Sequence, residues 1–418
     1  MSAGWRICEL SELTPRGKKN AIVDGPFGSN LKTEHYRPTG IPVVTSGFVT
    51  SGRFAAGRYV YVDQVKFDQE RRSAVHPGDI VMAKIGARSG ASAVLPRNHP
   101  VGILSGNALK ITIDESRHST AFVASLLGWL HERGELDRLR ATGAQPAISM
   151  PLLKRLRLAV PPRAEQVRIA EAVGDCDDWI DGLERFIVKK QAIKQGIMRQ
   201  LLTRGTRLRG FTASWLDIEV GCLLEFKNGL NKGSEFFGDG TPIVNFMDVM
   251  DGPIITAAKV AGRVTLTGDE IKRFSVRRGD LFFTRTSETV DEVGTAAVFV
   301  DDITDASFSG FILRGRPKTR DVDSRFLARA FALDVVRAQV TASATYTTRA
   351  LINGQSLGRV VISLPPIEEQ RAIAAVIDDA DAEIAALQSL LRKARAIRTG
   401  VAQEVLTGHT RLPMEAAS

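Results

Sequence analysis

PPRAEQVRIAEAVGDCDDWIDGLERFIVKKQAIKQGIMRQLLTRGTRL, residues 161–208, returns 204 positions later as PPIEEQRAIAAVIDDADAEIAALQSLLRKARAIRTGVAQEVLTGHTRL, residues 365–412. Nineteen of the 48 positions are identical without a gap, so the chain contains a duplication. Each stretch opens on a proline pair, which ends an extended segment and cannot lie inside a helix. In the first copy, apolar residues follow at Ile169, Val173, Cys176, Ile180, Leu183 and Ile187. The spacing alternates four and three, the seam of a coiled coil. The second copy puts Ile373, Ile377, Ala380, Ile384, Leu387 and Leu391 at the same places. The pattern predicts helices over 165–203 and 369–407, each about 57 Å long at 1.5 Å per residue. Neither can bury its seam alone. The simplest partner is the other copy, in an antiparallel pair related by a pseudo-two-fold; the alternative is that each docks on its own domain.

The repeat extends upstream. Ser105-Gly106 matches Ser309-Gly310 at the same offset, and Phe122 matches Phe326. Farther back the offset shrinks: Pro77-Gly78-Asp79-Ile80 matches Arg278-Gly279-Asp280-Leu281, Lys32 matches Lys232, and Trp5 loosely matches Trp215. Short β-rich runs separated by glycine-rich turns recur in both halves, at 41–45, 59–62, 79–83 and 109–113, then at 242–245, 280–284, 295–300 and 311–314. Helices are expected at 120–140 and 324–340, and returning strands at 156–160 and 360–364 lead into the proline pairs. The expected fold is therefore α+β. Two mixed α/β domains, 1–160 and 209–364, alternate with helical spacers, 161–208 and 365–412, and a short tail, 413–418, follows.

Composition narrows the class. Of 418 residues, 44% are hydrophobic and 25% charged, the balance of a globular protein rather than a disordered one. The formal net charge is +9. The helical stretches 163–208 and 366–412 hold 15 Lys+Arg against 14 Asp+Glu, and the remainder 41 against 33, so the domains carry the basic excess. A basic surface suits an acidic partner, nucleic acid foremost, though a merely basic protein shows the same number. Cys8, Cys176 and Cys222 form no CxxC and stand apart from histidines, which argues against a disulfide framework or structural zinc and for buried small hydrophobes. No apolar run approaches the ~20 residues of a membrane span, and the N-terminus has no signal-peptide pattern. A cytoplasmic location is expected.

A domain, then a PPxxEQxxIA helix closing on LxTxxTRL, then both again, resembles the DNA-specificity subunit of Type I restriction–modification systems along essentially the whole chain. Residues 364–373, LPPIEEQRAI, and 406–412, LTGHTRL, are written as that family writes them, and 160–166, VPPRAEQ, is a close variant. Residues 24–32, DGPFGSNLK, and 229–233, GLNKG, look like openings of its target-recognition domains. The resemblance implies that each domain reads one half of a split site in double-stranded DNA. It implies that the helices act as spacer and dock two modification subunits, and that restriction subunits join the full complex. S-adenosylmethionine would then be bound by the modification subunits and ATP with Mg by the restriction subunits, with no cofactor in this chain and no membrane partner.

Catalysis is not expected here. An adenine methyltransferase needs Asn or Asp before Pro-Pro and an aromatic after it; Val160 and Leu364 precede the pairs, and Arg163 and Ile367 follow. No P-loop, H-E-x-x-H or paired Cys/His metal pattern occurs. Candidate DNA contacts lie on three loop pairs that offer basic, hydroxyl or amide groups for phosphates and base edges. The first is Ser29, Asn30 and Lys32 with Asn231 and Lys232, which also suit Asn-capped tight turns. The second is Lys84, Arg88 and Ser89 with Arg285, Thr286 and Ser287, each loop following a strand that begins at Gly-Asp; a solvated loop is the alternative. The third is Gln145 with Tyr346, Thr348 and Arg349, where Gln145 suits adenine, Arg349 guanine and Tyr346 stacking or a phosphate, and ordinary turn polarity serves as well. Two other readings stay open. One is the recognition subunit of another methyltransferase or nuclease system; the other is a coiled-coil scaffold or DNA-binding regulator with no methyltransferase partner.

Overall fold

The computed structural model describes residues 4–50, 52–141, 146–346 and 348–412, with Ser29 and Thr50 described by backbone only. The chain divides into two compact units, residues 1–184 with 389–418 and residues 185–388. The division falls inside both long helices, Arg163–Leu202 and Ile367–Leu406. Each unit therefore holds the start of one long helix and the end of the other.

In the first unit the duplicated motif becomes a clasp. The Glu165 carboxylate is buried and accepts Arg411 Nε at 2.6 Å and a second Arg411 nitrogen at 2.8 Å. Trp5 Nε1 points at the same carboxylate from 3.4 Å. The neighbouring Gln166 donates to Pro161 O at 2.8 Å and accepts the Ser119 N–H at 2.8 Å. Ser119 is the N-cap of the helix Thr120–Glu132. The motif thus joins strand, long helix and domain helix at one point. Ile169 and Val173 continue into the core with Phe122, Leu126 and Leu158, and Ala402, Val405 and Leu406 close it from the far end of the second long helix. Asp177 meets Arg398 at 3.0 Å and Glu184 meets Arg395 at 2.8 Å, so rising numbers on one helix face falling numbers on the other.

The second unit repeats this with the copies exchanged. Glu369 accepts Arg207 Nε at 3.0 Å and Trp215 Nε1 at 3.1 Å. Gln370 donates to Pro365 O at 2.8 Å and accepts the N–H of Asp323, the N-cap of Ser324–Ala330. Ile373 and Ile377 enter the core beside Leu201 and Leu202. Lys190 pairs with Glu383 at 2.6 Å and Lys194 with Asp381, again in antiparallel sense. Of the seam, Ile180, Leu183, Ile187 and Ile384 are buried, while Leu387 and Leu391 are half-buried.

Each unit carries two main sheets. In the first, Ile22–Asp24, Ala108–Ile111, Ile80–Ala83 and Ser92–Val94 pair antiparallel in that order. A second sheet runs Tyr61–Val62, Ile41–Val44, Gly102–Leu104, Ala74–Val75. In the second unit the five-stranded sheet is Leu224–Asn228, Ile312–Pro317, Leu281–Thr284, Ala296–Phe299 and Ile254–Ile255, beside Arg263–Val264, Phe237–Val244 and Ser307–Phe308. The repeated Gly-Asp explains itself. Gly78 and Gly279 turn at φ +89° and +86°. The buried aspartate that follows takes the N–H three residues back, His76 or Arg277, at 2.8 Å. It also faces a cation from the neighbouring strands, Lys110 to Asp79 at 3.6 Å and Arg316 to Asp280 at 2.7 Å.

Three expectations are corrected. The helix expected over 120–140 ends at Glu132, where Gly134 takes φ +72°. The helix expected over 324–340 is two, Ser324–Ala330 and Asp334–Ala342, because Phe331 is buried against Phe283, 4.8 Å between centroids, and the chain turns there. Cys8 is buried, but Cys176 is half-buried and Cys222 exposed.

All six histidines belong to the first unit. Burial pushes the imidazoles of His118 and His131 below their usual 6.5, helped by Arg117 and Arg6 at the first and Arg140 at the second. The folded form is neutral, so the unfolded chain takes up protons first as pH falls through 6.5. Their stabilising effect is complete above 6.5 and is lost as pH drops toward the lowered folded values. Hydrogen exchange corrected for intrinsic rates should therefore show helix 120–132 opening more readily at pH 5.5 than at 7.5, with a smaller change across 185–388. An equal change in both units would contradict the assignment.

Candidate nucleic-acid interface

The candidate loops converge in the second unit, and in the first the described flanks of the third loop, residues 140–141 and 146–148, meet the second loop. In the first, Arg140–Ala141 pairs antiparallel with Ala147–Ile148 as a ribbon, and Ile85 bridges Ala147 as a third edge. Gly86 N donates to Pro146 O at 3.0 Å and Ile148 N to Lys84 O at 2.8 Å. The Gly25–Asn30 loop joins them through Lys84, whose ammonium lies 2.6 Å from Asp24 and 3.9 Å from the Phe27 ring centre. In the second, Thr345–Tyr346, Ala350–Leu351 and Thr286–Ser287 form the same three-edged ribbon. Ile352 N donates to Arg285 O at 2.9 Å, and Gly310 N to Leu230 O at 2.7 Å, bringing in the loop that holds Asn231.

Gly25 and Gly229 set the loop path. A Cβ on Gly25 would lie 2.0 Å from Ser105 O, and one on Gly229 would lie 2.1 Å from Ser309 O. The backbones cross at the same duplicated position in both units, which only glycine allows.

The candidates sort by what their side chains touch. Asn30, Lys32, Arg88, Asn231, Tyr346, Thr348 and Arg349 are exposed. Lys32 is 4.0 Å from Glu34, and Arg349 is 3.8 Å from Glu288. Lys84 is committed to Asp24, and Lys232 to Glu270 at 2.7 Å and Thr265 O at 3.0 Å, so their heads brace loops. Ser89 is fully buried and Ser287 donates to Glu292; neither hydroxyl reaches outside, which corrects the expectation that they contact DNA. Arg285 is half-buried, with one guanidinium nitrogen 3.4 Å from Gly310 O, and Thr286 sits in the ribbon beside it. Gln145 and the Ser29 side chain lie outside the described residues.

Sequence reasoning missed three groups. Phe27 and Phe311 are exposed aromatics on the converging loops. The signal for Phe311 was there: it follows the repeated Ser-Gly where the first copy has Asn107. Glu288 stands at the end of the ribbon edge. Lys227 was the third. Burial pushes its ammonium below the usual value, and Arg314, Arg273 and Arg316 push it further. Those arginines place positive charge beside Lys227 against the opposing carboxylate of Glu225, and a local excess of positive charge favours an approaching anion. A β-ribbon is narrow enough to enter the major groove of B-DNA, whose base edges carry the readable pattern of donors and acceptors. Among the described residues, no group of three or more His, Cys, Asp or Glu is placed to hold a metal ion, and no helix is long and apolar enough to cross a membrane.

Comparison with known proteins bears on the fold. The chain is 22% identical over 424 residues to the Type I restriction enzyme EcoKI specificity subunit of Escherichia coli (strain K12), spanning 96% of this chain and 88% of that one. It is 22% identical over 395 residues to the putative type I restriction enzyme MjaX specificity subunit of Methanocaldococcus jannaschii, 88% and 85% of the two chains. No family model matches. Among solved structures, the S subunit of a Type-I restriction-modification system from M. genitalium has a TM-score of 0.58 at 14% identity, covering 98% of this chain and 97% of that one. A second, from work on complex assembly and conformational transition of the type I R-M system, has 0.58 at 16% identity, covering 97% and 98%. The mixed α/β fold is thus that of S subunits.

Gly229→Ala should force the loop off Ser309. The expected cost is ~1–3 kcal/mol, the usual range for overpacking, read as a lowered unfolding midpoint together with faster proteolysis at 229–233. An unchanged midpoint would mean that the close crossing does not hold the loop.

Proposed function

We propose that this chain is the DNA sequence-recognition subunit of a Type I restriction–modification complex. One observation carries the reading: the same ribbon-and-loop surface is built twice on one duplicated scaffold, with different exposed side chains each time. Duplication alone would keep the surfaces alike. A shared frame with divergent faces is what reading two different half-sites requires.

Each domain reads one half, through exposed residues. In the first unit these are Asn30, Lys32 and Arg88; in the second, Asn231, Tyr346, Thr348 and Arg349. Lys227 and its neighbouring arginines attract the phosphate backbone. The paired long helices set the unread spacer and dock two modification subunits, and restriction subunits complete the assembly. Methyl transfer from S-adenosylmethionine belongs to the modification subunits and ATP-driven, Mg-dependent cleavage to the restriction subunits. The chain acts in the cytoplasm, where host DNA is.

Deleting the gene should erase a two-part N6-methyladenine motif from the host genome. Arg88→Ala should relax or weaken one half of that motif and Arg349→Ala the other, since a base-edge contact contributes ~1–3 kcal/mol of discrimination. Methylation mapping of the two variants checks this. Identical effects on both halves would refute separate reading.

A further inference from the structure

The ribbon of the second unit ends on a pair of opposite charges that its stability does not explain. Ser287 pairs with Ala350, so Glu288 and Arg349 stand across from one another where the strands part. Their charged ends are 3.8 Å apart, with side chains 85% and 61% exposed. A pair so open to water holds little, by the usual range for surface salt bridges. No other partner of Glu288 is found among the described residues. A carboxylate thrust toward DNA is repelled by every phosphate it passes. The base-edge groups that welcome it are amino hydrogens, above all the N4 amino group of cytosine in the major groove. Arginine is the usual reader of guanine O6 and N7. In one G·C pair those groups lie side by side in the same groove.

We propose that Glu288 and Arg349 together read a G·C pair in the half-site recognised by residues 185–388, Glu288 accepting from cytosine N4 and Arg349 donating to guanine. The inference rests on the reading of this chain as a DNA-recognition subunit and names a determinant within it. In the free protein the two side chains neutralise each other, which keeps the carboxylate from opposing the first approach of DNA. On the base pair each exchanges its partner for a base edge. The first copy has Ala87 at the position of Glu288, counted from the aligned Gly-Asp strands, so this reading is confined to one half-site.

The test replaces the chromosomal gene with Glu288→Ala and Glu288→Gln and maps N6-methyladenine in the host. Glu288 is exposed, so both variants should fold and still support methylation. With Glu288→Ala, one G·C position in one half should become degenerate while the rest of the motif stands. Discrimination at that position should fall about 5- to 150-fold in binding by the full complex, the equivalent of one base contact. Glu288→Gln, which both accepts and donates, should shift preference at that position toward adenine. An unchanged motif overturns the inference. So does uniformly tighter binding to all sequences, which would mean that Glu288 only repels phosphates. If the unaltered protein directs no two-part motif, the reading beneath it fails as well.

Discussion

A buried carboxylate at the foot of each long helix holds the rest of the molecule in place. Glu165 and Glu369 are each removed from water, and an ionised carboxylate in that position is costly unless a cation and good donors meet it. The cation comes from the other copy: Arg411 for Glu165, Arg207 for Glu369. A single copy would leave its glutamate unpaired. The demand for a partner arginine therefore explains why the motif is repeated along the chain and why each compact unit takes in the end of the other helix.

From that clasp the order passes outward through neighbouring residues. Gln166 and Gln370 sit one position on and fix the N-caps of the domain helices, so the domain is hung on the helix by the same turn. The Gly-Asp turns then lock the central strands around a buried aspartate paired with a cation, and those strands end at Lys84 and Arg285, where the ribbons begin. The surface proposed to meet DNA is the far end of this chain of constraints. Its side chains differ between units because nothing beneath them requires a particular identity.

The repeated parts were legible in the sequence, since duplication prints the same physical need twice. Helix limits agree within two residues, and the strands after Gly-Asp appear where the short β-rich runs placed them. Which glutamate meets which arginine was not legible, because the pairs join residues 246 and 162 positions apart. The convergence of the second unit's loops was likewise hidden, although each loop had been marked by composition. Side-chain direction was the weakest point. Ser89 and Lys84 share a loop with Arg88, yet one is buried and one is tied to Asp24, and a polar residue looks the same in sequence whether it braces a loop or faces a ligand. Glu288 escaped notice because the residues that mark a DNA contact in sequence are groups that attract an anion, and an acid repels one.

The clasp is tested most directly by a double-mutant cycle on Arg207 and Glu369. Arg207→Ala, Glu369→Ala and the double variant would be compared by the unfolding midpoint of the full chain and by hydrogen exchange across 185–388. Each single change should destabilise that unit, and the double variant should be no worse than the Glu369→Ala single, because the second truncation removes a partner already lost. If the two losses simply add, the residues act independently, and the clasp does not hold the unit together.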